Sequence, residues 1–200
     1  MRLDFKKDFL LVTAMLVAAG CSDSMTEANN PEQQVPIAFG TQVATRSVVE
    51  SDKEGMDNFT LWGWVRESDG PKLFFDAASV TPSGNYGEKR FWAVGRPYDF
   101  FALHPEKMKE AGIAAEVSCN DKGELRVTGF DSSGMGKDAV DLMTATETDV
   151  TYEGGGTMAP VLLAFKHELA QVKLTVRTGE KLAEVSDIRL FGVDYKGDLL

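Results

Sequence analysis

The chain has 200 residues, 43% of them hydrophobic and 26% charged, with a formal net charge of -10. That length suits one well-buried domain, or one domain and part of a second. The acidic balance and the lack of any Lys/Arg run exclude a nucleic-acid partner, because a phosphate backbone requires a basic patch.

Residues 1–20 read as a secretory signal. Arg2, Lys6 and Lys7 make a basic start, diluted by Asp4 and Asp8, and Phe9 to Ala19 is mostly apolar. The run is too short for the ~20 residues that span a bilayer as a helix, and its flanks suit an export signal. Ala18, Ala19 and Gly20 then lead into Cys21. This junction resembles a bacterial lipobox, although Ala18 stands where that motif prefers Leu. The resemblance implies that the Cys21 thiol forms a thioether to lipid and that the cut makes it the first residue. The expected location is therefore the outer membrane, through a lipid anchor. The competing assignment is a disulfide between Cys21 and Cys119; with Cys21 lipidated, Cys119 is a free, half-buried thiol in a strand.

Residues 21–34 carry one Met and no other large apolar residue after Cys21, and they include Asn29-Asn30-Pro31. Such a composition buries little surface and reads as a flexible tether. From Val35 the pattern changes to short β-branched and aromatic segments separated by Gly, Asp, Asn and Pro. The predicted strands lie in VPIAFGTQVATRSVV, NFTLWGWV, KLFFDAASV, KRFWAV, YDFFALH, AAEVSC, ELRVTGF, PVLLAF, QVKLTV and DIRLFGV. In NFTLWGWV, large apolar groups fall on both faces, which places that strand inside a packed sheet. Many short strands with turn chemistry between them, such as Asp121-Lys122-Gly123, predict an all-β antiparallel sandwich. The best helical candidate is Pro105 to Ala111, with Gly112 as its stop. Gly154-Gly155-Gly156 before Pro160 reads as a hinge between domains.

Catalytic and ligand motifs fail on inspection. His167-Glu168 opens HELAQ, but the second histidine of a zinc-protease motif would fall at Gln171, so the metal site is rejected. His104 is the only other histidine, and both are read as structural. GFDSSGMGKDA has P-loop-like glycines at Gly129 and Gly134, but Met135 replaces the required Lys. Its Gly134, Gly136 and Ala139 fit a dinucleotide fingerprint without the parallel βαβ context. No catalytic residue, metal ligand or cofactor is assigned, and the chain is read as non-enzymatic. Trp62, Trp64 and Trp92 are expected in the core; exposed, they would instead offer stacking faces for sugars.

Several segments together resemble the fimbrillin family of Bacteroidetes. They are the junction at Cys21, IAFGTQVATRS, DNFTLWGWV, KRFWAVGRPYDFFALHP, DLMTA at Asp141 to Ala145, and VLLAFKHELAQVKLTV, in the family's order. The resemblance implies a transthyretin-like β-sandwich at residues 35–157 and the start of a second sandwich at 158–200. Only 40 residues follow Pro160, against about seven strands for a sandwich domain, so the second sandwich is expected to be truncated. The resemblance also implies a structural or adhesive subunit of a fimbria, or its anchor or tip, acting by strand exchange with other fimbrial subunits and meeting host or bacterial surface ligands. A protease would cut between Arg46 and Ser47, removing the anchor with the first strand and opening an edge for another subunit. The alternative function is a carbohydrate-binding outer-membrane lipoprotein using exposed aromatics. Trp burial separates the two.

Overall fold

Alternation of inward and outward side chains explains how the sheets form and where they pack. A computed structural model describes residues 34–43, 56–133, 140–170, 192 and 194–200. Among them are nine strands: β1 (Phe39–Val43), β2 (Phe59–Glu67), β3 (Gly70–Val80), β4 (Pro97–His104), β5 (Glu116–Cys119), β6 (Leu125–Asp131), β7 (Met143–Thr151), β8 (Val161–His167) and β9 (Lys196–Leu199). They form a six-stranded sheet of order β1-β8-β7-β4-β2-β3 and a three-stranded sheet of order β5-β6-β9. All pairs are antiparallel except β1 with β8. The all-β sandwich expected from the sequence is the observed architecture.

The two faces of the large sheet carry separate cores. Phe59, Leu61 and Val65 of β2 join Tyr98, Phe100 and Ala102 of β4 in one cluster, with Phe75, Leu163 and Phe165. Trp62 and Trp64 of β2 join Phe101 and Leu103 of β4 in the other, against Leu125, Val127 and Phe130 of β6. β2 and β4 are thus covered on both sides, which is why their sequences are apolar at successive positions. β8 is covered on one side: Val161, Leu163 and Phe165 are buried while Leu162, Ala164 and Lys166 are exposed. Gly63 completes the inward row of β2. A Cβ there would lie 3.0 Å from the rings of both Phe75 and Phe100, so hydrogen is the only substituent that lets those rings meet over the strand.

Several local expectations need correction. KRFWAV supplies only an isolated bridge, Pro36 with Phe91, because its backbone bonds go to the segment around Val35 and not to a sheet. Residues 105–111 form turns and no helix. Lys107 has φ 58°, a left-handed conformation that interrupts a helix in its first turn. Gly112 does act as the expected stop: at φ 70° it lets its own N–H bond to the Lys109 carbonyl and the Ile113 N–H to the Met108 carbonyl, the paired bonds of a Schellman ending. β7 and β9 were not predicted. QVKLTV and nearly all of DIRLFGV lie outside the described residues.

The segment 158–200, expected to open a second sandwich, contributes β8 and β9. β8 pairs with β1 and β7 and β9 pairs with β6, so both described strands of this segment join sheets built by earlier strands.

Candidate functional site

The first strand is the part of the sheet held least by its own sheet neighbours. β1 stands at one edge of the six-stranded sheet and pairs only with β8, from Phe39 with Val161 to Val43 with Phe165. Its other side is met by a strap, residues 81–92, that connects β3 toward β4. The Ile37 N–H donates to the Arg90 carbonyl at 2.8 Å and the Trp92 N–H to the Val35 carbonyl at 3.0 Å. Tyr86 Oη donates to the Ile37 carbonyl at 2.8 Å and accepts from the Arg90 N–H at 3.2 Å. Thr41 Oγ1 donates to the Pro82 carbonyl at 3.0 Å. Residues 35–43 therefore run through a channel with hydrogen-bonding backbone on both sides.

Side chains fix the register in this channel. Ile37 and Phe39 are buried, and Gly40 and Gln42 between the inward positions are more open. The Phe39 ring lies edge-on to Phe75 at 5.7 Å, Tyr86 at 5.7 Å and Phe100 at 5.2 Å, a favourable arrangement for aromatic quadrupoles. Phe75 belongs to β3, the opposite edge of the same sheet, so the sheet curls until its two edges share one core. Arg90 covers this socket from outside, its guanidinium 5.1 Å from the ring centres of Phe74 and Phe75.

The strap is folded on itself where it meets β1. The Gly84 N–H donates to the Thr81 carbonyl and the Thr81 N–H to the Asn85 carbonyl, and Asn85 Oδ1 accepts from the Gly87 N–H. Gly84, at φ +82°, presses its backbone on Phe39: a Cβ there would sit 2.1 Å from the Phe39 carbonyl oxygen. No other residue type fits that approach.

Of the residues singled out in the sequence, Cys21, Arg46 and Ser47 lie outside the described residues. Cys119 is a free thiol at the end of β5; burial pushes its pKa up to about 12, which leaves it protonated and unreactive. The two histidines meet through Asp141. His104 Nδ1 donates to the Asp141 backbone carbonyl at 3.3 Å, and His167 Nδ1 bonds the Asp141 carboxylate. Spacing gave no hint of this, because the link is made by register: His104 pairs with Met143, which pairs with His167. Among the described residues, no group of three or more His, Cys, Asp or Glu is placed to hold a metal ion. Trp62, Trp64 and Trp92 are 5%, 6% and 7% exposed, so none of the three offers a sugar-stacking face.

Sequence reasoning also missed the buried carboxylate Asp99. Arg66 holds it with Nε at 2.7 Å and Nη2 at 2.6 Å, and the Asp149 N–H donates to it at 2.9 Å. Burial works to raise the Asp99 pKa, but these bonds outweigh it and hold the carboxyl below its ordinary value. The cluster ties β2, β4 and β7 together.

The family model described as fimbrillin-like matches residues 45–199. The fimbrium subunit Fim1C of Phocaeicola vulgatus is 29% identical over 219 residues, which cover 96% of this chain and 56% of that protein. The chain thus spans little more than half the length of this curated relative. No solved structure matches at a significant level. With most of its length matched by that model, the chain belongs to the fimbrillin-like family.

Proposed function

We infer that the chain is a fimbrial subunit that reaches the cell surface as a lipoprotein and joins its neighbours by strand exchange. Cys21 carries the lipid and anchors the chain to the outer membrane. A cut between Arg46 and Ser47 then frees the first strand together with the anchor. Family membership and the likeness to a fimbrium subunit support the assignment to fimbriae. The observation that carries the mechanism is the position of β1: it is an edge strand, its inward side chains fill a socket, and Arg46 follows its last residue, Val43, by three positions.

The physical sequence is direct. Loss of residues 35–43 would uncover the edge of β8 and the apolar socket around Phe39. An edge strand with free N–H and C=O groups and an adjacent apolar slot is a template for an added strand. The uncut chain blocks this template with its own residues.

Mass spectrometry of outer-membrane and surface-assembly fractions tests both steps. The expected result is lipid-modified Cys21 in the membrane fraction and Ser47 as the N-terminus in assembled material. Finding only the lipidated, uncut chain in every fraction overturns strand exchange.

A further inference from the structure

We propose that the channel around β1 selects its incoming strand by an aromatic side chain at the Phe39 position, and that residues 81–92 act as a strap that retains whichever strand lies there. The proposal rests on the strand-exchange reading and specifies the partner: an extended segment of a second subunit that repeats the side-chain pattern of residues 35–43.

The resident strand shows what the channel accepts. Ile37 and Phe39 enter the core while Ala38, Gly40 and Gln42 face away from it. The socket at Phe39 is made by three aromatic rings edge-on to it, and it is walled by parts of the chain that remain after a cut at Arg46. Phe75 is on β3, Phe100 on β4 and Tyr86 on the strap. An aliphatic side chain would leave these ring edges without the electrostatic partner that a fourth ring supplies. A small one would leave a cavity.

Retention has a separate basis. Bonds from β8 alone would hold an added strand as one more edge. Here the strap gives a second side, with contacts at Val35, Ile37 and Thr41 and the Gly84 backbone against the Phe39 carbonyl. The strap must therefore move aside for one strand to leave and another to enter, and Gly84 sets how closely it shuts. Gly87 supplies an internal comparison: its φ of +84° matches the +82° of Gly84, but a Cβ there would meet nothing within 4 Å. Alanine at either position strains the backbone equally. Only at 84 does it also push the strap off the strand.

The test uses the full chain with a site-specific protease sequence in place of residues 44–49, cut after folding and mixed with a fluorescent peptide of residues 35–43. The peptide is expected to displace the resident segment from the cut chain, and a Phe39→Ala peptide to bind roughly 100-fold or more weakly. Gly84→Ala in the cut chain is expected to release the wild-type peptide roughly tenfold faster, with Gly87→Ala releasing it at the unmodified rate. Equal binding of the two peptides overturns the aromatic selection, and equal release by the two glycine variants overturns the strap, in both cases with strand replacement intact. A cut chain that takes up neither peptide overturns strand replacement itself.

Discussion

His104 illustrates how a single buried group sets a pH dependence. Its Nδ1 has the Asp141 carbonyl, but its Nε2 is buried without a hydrogen-bond partner among the described residues. Protonation would add a donor and a charge there with nothing to receive them. Burial accordingly lowers the His104 pKa from its ordinary 6.5, against weaker opposing contributions from Asp57 and Asp141. Below pH 6.5 the unfolded chain binds the proton and the folded one resists it, so stability falls as pH drops from 6.5 through the lowered folded value. Urea unfolding measured between pH 7.5 and 5 should show that loss, and His104→Gln should flatten it. An unchanged slope in the variant would assign the pH dependence elsewhere. The two histidines were visible in the sequence, but their common partner was not, because Asp141 meets them only through the pairing of β4, β7 and β8.

At the scale of elements, a polar cluster beside the aromatic core ties three strands of the large sheet together. Arg66 on β2 bridges Asp99 on β4 and Asp149 on β7, close to the register shift between Tyr98 and Phe100. The bidentate geometry gives Asp99 two charge-assisted bonds, stronger than neutral ones. Asp99→Ala would leave the Asp149 N–H and part of the Arg66 fork unpaired, at a cost of about 2 kcal/mol, read as a lower urea midpoint with an unchanged slope. A midpoint within error of the parent would mean that water replaces the carboxylate without penalty. β2, β4 and β8 were legible from composition, since aromatic and β-branched runs mark buried strands. β7 was not: MTATETDVT buries only Met143 and Ala145 in its first half and reads as polar loop. It is a strand because β4 pairs with it from Met143 to Thr151, and β8 adds pairs at Met143 and Thr144.

Across the whole molecule, the chain's order and its spatial order diverge. β8 lies between β1 and β7, and β9 extends the small sheet from β6, so strands distant in sequence complete both layers. A chain ending after Thr157 would leave the facing edges of β1 and β7 unpaired and lose the buried Val161, Leu163 and Phe165. Each such side chain is worth roughly 2 kcal/mol of burial, a large part of the usual 5–15 kcal/mol total. That truncated chain is expected to lack a cooperative thermal transition, while the full chain unfolds in one. A cooperative transition in the truncated form would make residues 35–157 an independent domain.

The sequence by itself determined the class of the protein. Alternating aromatics made β2 a doubly covered strand, and short β-branched and aromatic segments between turn residues made the fold all-β. The order of segments from IAFGTQVATRS to VLLAFKHELAQVKLTV was enough to carry the family resemblance. Only the tertiary structure decided what surrounds the first strand. Phe39 reads in sequence as one apolar residue among many, and Gly84 as one loop glycine among several. The curl of the sheet brings β1 toward β3 and lays the strap across it, turning these residues into a socket and a clasp. Those contacts join positions far apart in the chain, and local propensity carries no information about such distances.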